Sequence, residues 1–399
     1  MHKHPLKLKA ALWLIASLTM LSGAVIAASL PGISAHFVSA TDEQSEFLSR
    51  LILTIPALTI AITAPIAGLV IHKFGRLKPL FIGLVLYAVT GSSGLFADTI
   101  WTILLGRIGL GLSVAIVMTV GVTLTGDYFT NVAERNRFMS LQGTFVTLAG
   151  VFFLSGGGFL SDLSWRAPFG VYLVSLLLIP LAVAGLYEPK LHIEATKKEA
   201  GLFGEGGYFT VFPVFCAAFA TMAIFYIVPT QLPFLIMNKL HGSGAETGIV
   251  MGIGPLFAAF AAYNYEKFYQ RYNLKTIFVI IFMAQGLGLA VVGFADFVWQ
   301  LYAPFILVGL GNGLAMANTQ VWFLQLAAPA KRAKLSGILT GSFFLGQFFS
   351  PFFVHPFLEF MELSRVFTIF GLFLVIAAFA LFAWRFRSDR GNLGDRKGN

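Results

Sequence analysis

Charge is scarce in this chain: only 11% of its 399 residues are Asp, Glu, Lys or Arg, against about 25% in a soluble domain. With 57% of the residues hydrophobic, no water-soluble fold of this length has enough interior to hide the apolar surface, so lipid has to be the solvent. Cysteine is nearly missing as well. Cys216 is the single one and lies in an apolar run, which excludes a disulfide within the chain. The seven histidines (His2, His4, His36, His72, His192, His241, His355) offer no metal-ligand spacing, and no G-x-x-x-x-G-K loop is present to cradle a phosphate. An ATP-driven pump is therefore excluded on this chain, and neither a metal nor a cofactor is expected. One more absence bears on function. All 18 acidic residues fall at or beside the ends of the apolar runs, and none lies in the middle of one.

What is abundant is Phe, with 42 residues, and Gly, with 41, as expected where helices pack closely in a bilayer. A helix needs about 20 residues to cross ~30 Å of hydrocarbon. Runs of that kind occur at about 9–35, 47–72, 78–96, 99–127, 138–160, 168–187, 208–236, 244–266, 276–295, 299–327, 336–357 and 366–385. Lys3, Lys7 and Lys9 ahead of an apolar stretch resemble a secretory signal. That stretch, Ala10–Leu30, exceeds the ~7–15-residue core of such a signal, and eleven further runs follow. An uncleaved first helix is expected. The net charge of +9 does not point to nucleic acid here, because the placement of the charges matters more than their sum. With the N-terminus on one side, 22 of the 27 Lys and Arg fall in the termini and loops of that side, four in the opposite loops (Arg50, Arg166, Lys239, Arg365), and Arg107 within a helix. Basic loops stay in the cytoplasm, so both termini are expected there and the helix count is even.

The chain also repeats. Gly109-Leu110-Gly111 recurs as Gly309-Leu310-Gly311, and each is followed by a basic turn, Glu134–Arg137 and Ala330–Lys334. A repeat of half the chain with the same topology implies two similar bundles beside a central cavity. The expected division is a six-helix bundle over 1–187, a polar linker over 188–207, a second six-helix bundle over 208–387 and a tail over 388–399.

Between the second and third helices the chain reads Gly68-Leu69-Val70-Ile71-His72-Lys73-Phe74-Gly75-Arg76-Leu77-Lys78. This resembles the G-x-L-x-D-R-x-G-R-R signature of the major facilitator superfamily, with His72 in place of the aspartate. Arg107-Ile108-Gly109-Leu110-Gly111 is similar to that superfamily's R-x-x-x-G motif, and Gly157–Leu160 with Trp165–Phe169 resembles a stretch of its bacterial efflux members. The Gly-Pro pair of proton-driven exporters is absent, since Phe153 and Leu154 stand there. The resemblance implies an all-α membrane protein of 12 transmembrane helices in two pseudo-symmetric six-helix bundles, not an enzyme, working by alternating access. It also implies that Gly68, His72, Gly75, Arg76 and Asp127 form a conformational latch, with Arg76 paired to Asp127 and His72 facing the start of the eleventh helix near Ser336. That latch should loosen when His72 is protonated.

Several residues read as cavity ligands, each with a structural alternative. A cation at the bilayer centre is costly, by ~2.5–3.5 kcal/mol on insertion scales, so Arg107 is either functional or a structural arginine bonded to backbone or to Gln142. Tyr226 and Gln231 are cavity candidates between the hinge candidates Pro229 and Pro233, which a structural kink would also explain. Asn318 and Trp322 share a helix face and, with Gln347, line a cavity or bond between helices. Without a midmembrane carboxylate, a site whose fixed charge is Arg107 favours anionic, zwitterionic or neutral solutes. The expected partners are a small-molecule substrate, membrane lipid and protons, for a monomer in a bacterial cytoplasmic membrane. The expected activity is export of a small amphipathic solute, the alternatives being an importer or uniporter of an organic anion and, remotely, a membrane enzyme or receptor.

Overall fold

The computed structural model describes residues 5–37, 45–189 and 205–395, with the side chains at 70, 72, 333 and 384–395 outside the description. Twelve helices in it are long and apolar enough to cross a membrane. They are α1 (Leu6–Phe37), α2 (Ser45–Leu69), α3 (Leu77–Leu95), α4 (Ile100–Tyr128), α5 (Val132–Leu163) and α6 (Ala167–Gly185), then α7 (Tyr208–Lys239), α8 (Gly244–Tyr263), α9 (Leu274–Val292), α10 (Val298–Leu326), α11 (Lys334–Leu358) and α12 (Leu363–Ala383). Below, the end at which α1 begins is proximal and the opposite end distal.

Helix ends overrun the apolar runs where caps allow it. α5 starts at Val132, six residues before its apolar run, because the Asn131 side chain accepts from the N–H groups of Ala133 and Glu134 and satisfies donors that a helix start leaves open. The polar turn Glu134–Arg137 is thus helical rather than a loop. α2 likewise starts at Ser45, two residues before its apolar run, and Arg50, counted with the adjoining loop by its charge, lies within the helix. A short helix, Tyr265–Arg271, occupies the connection between α8 and α9. α1 is not continuous: regular helix ends at Ala24, and a 3-10 turn over Ala27–Ser29 leads into the final segment Leu30–Phe37.

By packing, the chain forms two compact units, residues 1–252 with 327–353, and residues 253–326 with 354–399. The cut differs from the division at the linker expected from the repeat, because α7, the start of α8 and most of α11 pack with α1–α6. In this first unit Gly157 faces the backbone of Val25 in α1, and Gly158 faces that of Gly244 and Gly248 in α8, too close for any side chain. Distal contacts join the same helices. Phe47 of α2 meets Phe352 of α11 edge-on with centroids 5.2 Å apart, and both oxygens of Asp162 accept from the first N–H groups of α8, Gly244 at 2.6 Å and Ala245 at 2.9 Å. The second unit is built likewise from close backbone approaches, Gly309 on Gly254 and Gly371 on Ala290, around a core of Ala261, Tyr265, Ile277, Ile281, Leu314 and Ala315.

Candidate functional site

Arg107 lies on α4 and is 1% exposed. Its surroundings follow from the break in α1. A helix leaves its last four carbonyls without intrahelical partners, and regular helix ends at Ala24, so the Ser22 carbonyl is free. Arg107 Nη1 donates to it at 3.2 Å and to the Tyr172 hydroxyl of α6 at 2.8 Å, while that hydroxyl donates to the same carbonyl at 2.9 Å. The guanidinium also lies over the rings of Tyr172 at 4.7 Å and Phe169 at 5.0 Å. Tyr87 of α3 closes the group, donating to the Leu18 carbonyl at 2.8 Å. Among the described residues no carboxylate pairs with Arg107. The cation is held by a helix C-terminus, which carries roughly half a negative charge, and by two aromatic faces. Its Nη2 is buried without a partner. Gln142 is not part of this group; its amide donates to the Leu12 carbonyl at 3.3 Å.

The loop between α2 and α3 brings Arg76 and Asp127 together, with Nε 3.0 Å from Oδ2. Gly75 has φ +83, a left-handed conformation that glycine adopts at least cost. This turn presents the N–H groups of Arg76 and Leu77 to the Glu188 carboxylate at 2.6 and 2.9 Å. Glu188 thereby caps α3, and a Cβ at Gly75 would meet it. Gly68 has open space around it, so it has no packing role in this arrangement. The His72 side chain lies outside the described residues.

On α7, Tyr226 neighbours Gln347 of α11, so two expected ligands lie close together, and the Tyr226 hydroxyl sits beside Gly23 of α1. Gln231 is fully buried, and both its amide atoms lack partners. Pro229 and Pro233 both lie inside the helix, and each removes a backbone bond there.

The second unit spends its polar side chains internally. Asn318 accepts from the Tyr265 hydroxyl at 2.8 Å and donates to the Leu274 carbonyl at 3.2 Å. Burial pushes the Tyr265 hydroxyl up to about 12, so it stays a neutral donor across physiological pH. Gln285 donates to Asn312 at 2.6 Å, and Trp322 packs edge-on against Phe278 with centroids 5.7 Å apart. For Asn318 the geometry is that of an interhelical bond, with both ends of its amide in use.

Sequence reasoning missed three residues. Arg50 reads as a loop cation but is 2% exposed, paired with Glu46 at 3.0 Å and lying 4.3 Å over the Phe234 ring of α7. Glu188 and Asp162 read as loop acids, yet each caps a distant helix. Only the three-dimensional approach of two helix ends reveals such a cap, although an acid next to a break in hydropathy is the signal that a search would use.

Comparison with known proteins places these features in context. A family model described as Major Facilitator Superfamily matches residues 12–230 and 214–399. The chain is 22% identical over 318 residues to the Tetracycline resistance protein, class B, of Escherichia coli, covering 78% of each chain. It is 33% identical over 180 residues to the Arabinose-proton symporter of Escherichia coli (strain K12), covering 43% of this chain and 37% of the symporter. Among solved structures, a bacterial homolog of the human lysosomal transporter Spinster, inward-facing and occupied, superposes with TM-score 0.74 at 16% identity, covering 94% of this chain and 95% of that one.

Proposed function

The chain belongs to the major facilitator superfamily, a family of transporters rather than enzymes, and on that premise we propose that it exports a small amphipathic solute, neutral, zwitterionic or anionic, by alternating access. The observation that carries the solute class is the sign of the buried charge. Among the described residues the charged side chains in the buried class are both arginines, Arg50 and Arg107. Arg50 has Glu46 beside it, whereas Arg107 has carbonyl, hydroxyl and aromatic partners only. A dry site with a fixed positive charge repels cations and favours anions or neutral dipoles. The candidate ligands in the first unit are Tyr226, Gln231, Gln347 and, through Tyr172 and α1, Arg107. The Arg76–Asp127 pair with Glu188 serves as the proximal latch, and Pro229 and Pro233 serve as hinges.

The basic-loop asymmetry supports a cytoplasmic proximal end with both termini in the cytoplasm. The efflux direction is supported by relatives whose names are those of resistance proteins. A second reading, proton-coupled uptake, is favoured by the likeness to a sugar–proton symporter. Accumulation in cells expressing wild type or Arg107→Ala, with matched cationic, neutral and anionic compounds, separates the two. Lower internal levels of neutral or anionic compounds, lost in the variant, support export. Raised levels of them move the assignment to uptake, and selective loss of cations overturns the charge argument.

A further inference from the structure

Nine buried side-chain polar atoms on Trp13, Ser29, Arg50, Thr54, Arg76, Arg107, Gln231 and Thr319 lack a hydrogen-bond partner among the described residues, and five of them sit on four residues: Ser29, Arg50, Thr54 and Gln231. All four are 0–2% exposed. Ser29 ends the 3-10 turn of α1, and that turn packs on α7. Arg50 and Thr54 are one helical turn apart on α2, and Gln231 is one turn from Phe234 on α7. The Arg50 guanidinium lies 4.3 Å over the Phe234 ring, which fixes the two faces against each other. α2 and α7 cross in opposite directions, so Thr54 and Gln231 both lie on the proximal side of that contact. Pro56 in α2 and Pro233 in α7 further release the Ile52 and Pro229 carbonyls from helical bonding.

Buried polar groups normally have partners, so a concentration of unpartnered ones where three helices pack marks a place built for something polar. We propose that Ser29, Arg50, Thr54 and Gln231 form a distal recognition site for the hydroxyl groups of a neutral, hydroxyl-rich solute, separate from the Tyr226–Gln347 pair. The reasoning is an inventory of donors and acceptors. Arg50 Nε and Gln231 Nε2 donate, Gln231 Oε1 accepts, and the two hydroxyls do either. A ligand hydroxyl answers every one of these groups. A carboxylate would leave Gln231 Oε1 facing negative charge, and an ammonium would face Arg50. Glu46, bonded to Arg50 Nη2 at 3.0 Å, offsets the guanidinium charge and removes the pull on a free anion. The site rests on the transport reading only in that its ligand would be cargo.

The test uses the full-length protein in lipid nanodiscs and two probes of matched shape, phenyl β-glucoside and 2-phenoxytetrahydropyran, which lacks the hydroxyls. The glucoside is expected to raise the thermal unfolding midpoint saturably and the ether to leave it unchanged. Thr54→Val and Gln231→Leu should each weaken glucoside binding about tenfold, the worth of one hydrogen bond. Without probe, both variants should unfold no lower than wild type, because each removes a buried group that lacks a partner. Equal effects of the two probes, no effect of the glucoside, or binding undiminished in the variants would overturn the site. A lower midpoint in the probe-free variants would also overturn it, since structural water would then satisfy these groups. Cellular accumulation is scored separately. Binding without transport contradicts the export reading and leaves the site standing, while transport of other compounds without glucoside binding does the reverse.

Discussion

Arg107 and Arg50 are buried alike, 1% and 2% exposed, yet they are held in opposite ways. Arg50 sits five residues from the distal end of α2 with a carboxylate one turn away, and that carboxylate side chain is 49% exposed. Arg107 sits deep in α4 and relies on the broken end of α1, one phenol and two rings. A cation near an end can take its countercharge from a residue that still touches water. A cation at depth would require a second buried ion, so the fold supplies dipoles instead. The difference explains how the chain keeps a positive interior without a midmembrane acid.

Substitutions at the two sites should therefore differ in size. The largest effect is expected at Arg107. Arg107→Ala should lower transport about tenfold or more, and Arg107→Lys should fail to rescue it, because an ammonium lacks the planar fork that bonds and stacks at once. Solute flux in proteoliposomes checks this, and full activity in Arg107→Lys would show that charge alone suffices. Next comes Tyr172→Phe, which deletes the hydroxyl between Arg107 and Ser22. It should cost about 1–3 kcal/mol, read as a lower unfolding midpoint. Asp162→Asn, at the cap of α8, should cost about 1 kcal/mol and widen spin-label distances between the distal ends of α5 and α8. Glu188→Gln should have a smaller effect, about 0.5–1 kcal/mol, with faster hydrogen exchange at Arg76 and Leu77. The smallest effect belongs to Glu46→Gln, an i,i+4 pair worth ~0.3–0.5 kcal/mol. If it matched Tyr172→Phe in the same melting assay, the contrast between the two arginines would collapse.

Much of the fold was legible because lipid imposes a simple rule. Backbone polar groups must be satisfied within each segment, so apolar runs of helical length became the twelve helices of the structure, misplaced mainly at capped ends such as Asn131 before α5. The Arg76–Asp127 pair was legible from a motif resemblance, and the geometry now brings its two members together. Arg50 was misread because a charge near the end of an apolar run was counted with the adjoining loop, whereas the helix runs past it to Ser45 and buries it. Asn318 reads equally as ligand or as glue until the Tyr265 hydroxyl is seen against it. The Glu188 and Asp162 caps link residues 112 and 82 positions away from their donors, a separation no local pattern encodes.

By itself, the sequence determined the solvent, the number of crossings, the basic-loop asymmetry and the absence of an acid within the apolar runs, since each is a property of composition along one dimension. Only the tertiary structure decided which carbonyl receives Arg107, which acids cap which helices and which polar groups are left unpartnered. Those outcomes depend on where helices break and which faces meet, and burial turns a polar side chain into a partner or an unmet demand only once its neighbours are in place.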